Sequence, residues 1–146
     1  MTANCCPAIV VQVKENTVIQ YQDGFNYNNS EDVIQKIASV AIGGHRVVKA
    51  ISATAVDYAD NSVLNDSTQV LGLTINAANA GEPILIRTWG EIEEPTWNWS
   101  QGWVWLDHNG LLTQTPPTLP STFSMIIGQA LSATVMRVLL LNPITL

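Results

Sequence analysis

The pattern of apolar and polar positions changes character near residue 44. Before it, Ile9-Val10-Val11-Gln12-Val13 is rich in strand formers and Lys14-Glu15-Asn16 reads as a turn. Thr17-Val18-Ile19-Gln20-Tyr21 then reads as the returning strand of a hairpin, which Asp23-Gly24 ends. From Ser30 the spacing predicts one short helix over about 30–41. Ser30 caps it, Glu31 and Asp32 occupy its first turn, and Val33, Ile34, Ile37, Ala38 and Ala41 share a face. Gly43-Gly44 closes it. Beyond that point short apolar runs at 46–51, 69–75, 84–92, 103–106, 125–131 and 135–141 predict strands, with no helical period among them.

Turn chemistry separates these runs. Asn109-Gly110 is the strongest hairpin signal, because a tight two-residue turn needs φ > 0 at both positions. Asn79-Ala80-Gly81 reads as a second connection. Residues 115–120 hold three prolines that cannot donate ladder hydrogen bonds, so an extended crossing is expected there.

Laid over itself at an offset of 56, the β region aligns in two ungapped blocks. Val70-Leu71-Gly72-Leu73-Thr74 falls on Ile126-Ile127-Gly128-Gln129-Ala130, and Arg46-Val47-Val48-Lys49-Ala50 falls on Gly102-Trp103-Val104-Trp105-Leu106. The expected fold is therefore mainly β: a small antiparallel β-barrel or sandwich built from two similar halves (about 45–92 and 101–141), preceded by an N-terminal hairpin and one short helix. The domain reading is residues 1–44 as an anchor or docking segment and 45–146 as the β domain.

Composition narrows the partners. The chain has 146 residues, enough for one ordinary domain, and 6 basic against 12 acidic side chains give a net charge of −6. That balance disfavours a phosphate backbone, so no nucleic-acid partner is expected. Only 12% of residues are charged while 47% are hydrophobic, a composition suited to an assembly subunit. No apolar run approaches the length of a membrane span, and no secretion signal is read. Cys5 and Cys6 are adjacent, too close for an ordinary disulfide, and His45 and His108 are too far along the chain to complete a metal set with them. Assembly in a reducing cytoplasm is the simplest expectation, without metal or cofactor.

No catalytic constellation emerges. Asp107 and His108 are sequence neighbours that point to opposite faces of a strand, and Glu91 and Glu93 read as charges on a solvated edge rather than a glycosidase pair. The sharpest local feature is aromatic. All five tryptophans, Trp89, Trp97, Trp99, Trp103 and Trp105, fall within residues 89–105, and the pairs Trp97/Trp99 and Trp103/Trp105 each share a face on extended backbone. They are candidates for core, for a subunit interface, or for a stacked platform that binds a sugar.

From about residue 44 onward the chain resembles a β domain of structural proteins in tailed-bacteriophage virions, among them head-decoration, head-fibre and tail-fibre components. The resemblance lies in Val70-Leu71-Gly72-Leu73-Thr74, Ala80-Gly81-Glu82-Pro83-Ile84-Leu85-Ile86, Trp89-Gly90-Glu91-Ile92, Leu112-Thr113-Gln114-Thr115-Pro116-Pro117 and Ile127-Gly128-Gln129-Ala130-Leu131-Ser132-Ala133-Thr134. Its most specific part runs from Trp97-Asn98-Trp99 to that Gln-Thr-Pro-Pro sequence. The resemblance implies a non-enzymatic virion protein, commonly a homotrimer, that contacts the major capsid protein or neck and tail proteins. The alternative is a carbohydrate-binding module with a surface glycan as partner. Residues 1–44 lie outside the resemblance. Their strand-prone Ile9, Val11, Val13, Val18 and Tyr21 are the docking candidates, because two strands without a sheet to join are marginal in water.

Overall fold

Eleven strands organise the residues that the computed structural model describes, 32–146. They are β1 (Asp32–Ala38), β2 (Val47–Ala50), β3 (Ala55–Tyr58), β4 (Val70–Thr74), β5 (Pro83–Glu93), β6 (Gly102–Leu106), β7 (Leu112–Thr113), β8 (Phe123–Ser124), β9 (Ile126–Ala130), β10 (Val135–Leu139) and β11 (Ile144–Thr145). A short 3-10 segment, Leu64–Thr68, lies between β3 and β4. No described helix is long and apolar enough to cross a membrane.

The helix expected over 30–41 is a strand over its described core. Val33, Ile34 and Ile37 fit a helical spacing, but all are β-branched and lose χ1 freedom in a helix. Pairing decides the outcome. β1 lies antiparallel to β5, with Ile34 opposite Ile86, and parallel to β3, with Ala38 opposite Val56. Ala38 is fully buried on the inner side while Val33 and Ile37 face outward. The boundary expected at 44/45 moves with it, since β1 is part of the β unit that spans Glu31–Leu146. The N-terminal hairpin and its docking candidates Ile9, Val11, Val13, Val18 and Tyr21 lie outside the described residues.

Nine strands form one sheet in the order β1-β3-β2-β4-β5-β10-β9-β6-β7, and the additional β1–β5 pairing closes the first five into a barrel. Inside it Ala38, Val48, Val56, Ile84 and Ile86 make one core. β5 has 11 residues, long enough to serve three neighbours: Pro83–Arg87 pair with β1, Ile86 and Arg87 also pair with β4, and Trp89–Glu93 pair with β10. A second core joins Val104, Leu106, Ile127, Met136 and Val138 to Val47, Ala59 and Leu73.

Several pairings recur 56 residues further along the chain. Val47 faces Leu73 and Val48 faces Gly72, as Trp103 faces Gln129 and Val104 faces Gly128; a register shift follows at Val48/Lys49 and again at Val104/Trp105. Lys49 opposite Asp57 and Ala50 opposite Val56 likewise match Trp105 opposite Thr113 and Leu106 opposite Leu112. Both glycines are required by crowding. A Cβ on Gly72 would collide with the Arg87 carbonyl oxygen, and one on Gly128 with that of Arg137.

The expected connections are present. Leu111 N–H donates to His108 C=O at 3.0 Å, and both central residues of that turn have positive φ, 53° at Asn109 and 71° at Gly110. Glu82 N–H closes the Asn79 turn at 3.0 Å. Buried Asn61 ties β6 to the segment that leads into β8. Its Nδ2 donates to Leu106 C=O at 3.0 Å, its Oδ1 accepts from Ser121 Oγ at 3.3 Å, and its carbonyl accepts from Thr122 N–H at 2.9 Å.

Candidate functional site

The five tryptophans divide into two groups, and alternation along the strands explains the division. Between β5 and β6, Trp97 and Trp99 turn toward the second core and are partly buried against it. Their ring centroids are 5.5 Å apart at 48°, and His45 meets Trp97 edge-on at 5.2 Å. His45 reaches this position from a backbone with φ 58°, next to Gly44, and its Nδ1 lies 3.7 Å from Glu94 Oε2. The Trp99 Nε1 is buried and has no acceptor among the described residues.

The other three share the outer face of the sheet. On β6, Val104 and Leu106 point into the core, so Trp103 and Trp105 point away from it. On β5, Gly90 and Ile92 are buried, which turns Trp89, Glu91 and Glu93 outward. Trp103 is the most open of the five indoles, at 42% exposure.

A row of side chains crosses this face. Trp103 on β6 sits opposite Gln129 on β9, Gln129 opposite Arg137 on β10, and Arg137 opposite Glu91 on β5. The Arg137 guanidinium donates to Gln129 Oε1 at 3.0 Å. Beside the row lies an apolar one in which Trp105 pairs with Ile126 and Leu139 pairs with Trp89. Spacing alone identified the Trp103/Trp105 face, but Gln129 and Arg137 carry no local signal that they join it. The join depends on strand order.

The titratable groups elsewhere serve the fold. Burial acts to raise the Asp60 carboxyl pKa, but hydrogen bonds from Ser62, from Asn109 N–H and from His108 outweigh it and hold the value at about 2. Its neighbour Asp66 is buried and paired with Lys49 Nζ at 2.7 Å. His108 lies 3.3 Å from Asp60 and 3.9 Å from Asp107, both through carboxylate oxygens. No group of three metal-ligating side chains occurs among the described residues.

Compared with protein-family models and with curated proteins, the sequence finds no match.

Proposed function

We propose that this chain is a non-enzymatic structural component of a tailed-phage virion, a capsid decoration or cement, collar or short fibre-adaptor protein that docks on the particle as an oligomer. The observation that carries this reading is where the most specific run of the resemblance falls. Trp97 and Trp99 pack against the second core, and Gln114 binds Ser100 with both ends of its amide, so the run serves the framework of the sheet. A run that serves the framework is what the proposal expects of a structural β domain.

Two finer features accompany the proposal. The repeat of pairings at an offset of 56 supports two similar halves descended from one unit, with β5 shared between them. The outer wall of the barrel supports self-association as a homotrimer. There Val33, Ile37 and Leu85 are 44%, 36% and 38% exposed, with Gln35 directly opposite Leu85 and Val33 opposite Arg87. Docking is assigned to the anchor segment 1–44 through Ile9, Val11, Val13, Val18 and Tyr21, with a capsid, neck or tail protein as partner and assembly in the host cytoplasm.

Light scattering joined to quantitative mass spectrometry of purified particles tests this reading. A trimer mass that falls toward 15.9 kDa in Leu85→Lys, together with many copies per particle, supports it. A constant monomer mass and absence from the particles overturn it. A second reading, a carbohydrate-binding module, is favoured by one observation: the exposed indole of Trp103 stands in line with an amide, a guanidinium and a carboxylate.

A further inference from the structure

The geometry points to a saccharide-binding site on the outer face of β5, β6, β9 and β10, centred on Trp103. We infer that it takes a neutral oligosaccharide, with one ring stacked on the indole beside Gln129 and Arg137 and a further unit reaching Glu91, three strands from Trp103. The inference develops the second reading and does not depend on where the protein sits in a particle.

The first observation is a contrast between positions that occupy equal register. Val47 and Leu73 face each other across β2 and β4 and are fully buried in the second core. At the matching positions on β6 and β9 stand Trp103 and Gln129, and there Trp103 is 42% exposed. The same backbone arrangement thus carries core residues in one place and an open indole beside a polar amide in the other. Leaving so much apolar ring in water brings the fold no burial energy, whereas a ligand that covers it recovers that energy.

The second observation is the chemistry beside the ring. A pyranose presents an apolar face of C–H groups and a rim of hydroxyls, each able to donate and to accept. The indole offers a flat apolar surface for the first. For the second, Gln129 supplies amide donors, Arg137 supplies guanidinium donors and Glu91 supplies acceptors, all on neighbouring strands in one row. The Arg137 to Gln129 hydrogen bond at 3.0 Å fixes the amide before a ligand arrives, leaving its Nε2 as a donor toward the sugar.

The charges on this row are opposite and adjacent, since Arg137 faces Glu91. That pairing suits a neutral hydroxyl-rich ligand better than a sulfated or carboxylated one, for which an unopposed cation would be expected. Trp105, two residues further along β6 on the same face, extends the stacking surface toward a second sugar unit.

The test uses the full chain on a printed panel of neutral and acidic oligosaccharides, followed by tryptophan-fluorescence titration with the strongest neutral binder. The expected result is saturable binding that weakens at least tenfold in Trp103→Ala and several-fold in Gln129→Ala. Circular dichroism and oligomer mass stay unchanged, and Trp103→Phe keeps part of the affinity. Leu85→Lys should leave monovalent affinity intact, which separates this site from the proposed subunit contact. No binding across the panel, preference for acidic sugars alone, or equal affinity in Trp103→Ala would overturn the proposal. A fall in oligomer mass in Trp103→Ala would assign the face to a subunit interface instead. Absence of the protein from phage particles would leave the sugar result standing.

Discussion

Gln114 pairs with Ser100 as one strand residue pairs with another. Its Oε1 accepts the Ser100 N–H at 3.0 Å and its Nε2 donates to the Ser100 carbonyl at 2.7 Å. The pairing ties the residue that follows β7 to the segment that leads into β6. Each bond contributes roughly 0.5–1.5 kcal/mol net, so Gln114→Ala should cost about 1–2 kcal/mol. Urea unfolding should show a lower midpoint at unchanged slope, and Gln114→Glu, which loses the donor, should give part of the same loss.

Gly72 and Gly128 should tolerate no side chain. Each packs against the carbonyl oxygen of an arginine on the next strand, Arg87 for the first and Arg137 for the second. Backbone cannot yield as the tip of a side chain can, so Gly72→Ala and Gly128→Ala should each cost about 3 kcal/mol or prevent folding, at the upper end of overpacking penalties. Gly81 gives the contrast. Nothing lies within 4 Å of its added Cβ, and only its φ of 86° opposes a side chain, so Gly81→Ala should cost about 1–2 kcal/mol. Thermal melts of the three variants make the comparison.

Asp60 makes stability depend on acid. Its folded pKa of about 2 lies below the ordinary carboxyl value of 3.8, so the unfolded chain takes up the proton first. The stabilisation is complete above the unfolded pKa and is lost as pH falls from about 4 toward 2. Asp60→Asn should therefore be less stable than the parent at pH 7, with the gap closing at pH 2. Unfolding curves at the two pH values check the sign.

The β unit should stand without the first segment. β1 begins at Asp32 and already completes the barrel by pairing with both β3 and β5. Deleting residues 1–28 should leave a folded protein with the strand signature of the parent in circular dichroism, yet one that no longer joins particles. Loss of folding would make the deleted segment part of the sheet.

Much of the sheet was legible because alternation and turn residues agreed. The run at 84–92 became β5, the run at 103–106 became the core of β6, and the positive φ expected at Asn109 and Gly110 is observed. β1 was misread because Val33, Ile34 and Ile37 satisfy a helical and a strand pattern equally, and its partners on β5 lie some fifty residues away. β3 was missed because its four residues include Asp57, and no local signal marks so short a strand. The two tryptophan pairs were each correctly placed on one face. Which pair would be covered depended on strand order, and Gln129 and Arg137 became visible beside Trp103 only through the pairing of β6, β9 and β10.

An electron-microscopy map of the intact phage particle tests the central claim most directly. The account predicts density for the Glu31–Leu146 unit at symmetry-related positions on the head, collar or tail, grouped in threes with Val33 and Leu85 turned toward neighbouring copies. A map in which every such position is filled by other chains, from particles that contain none of this protein, would contradict it.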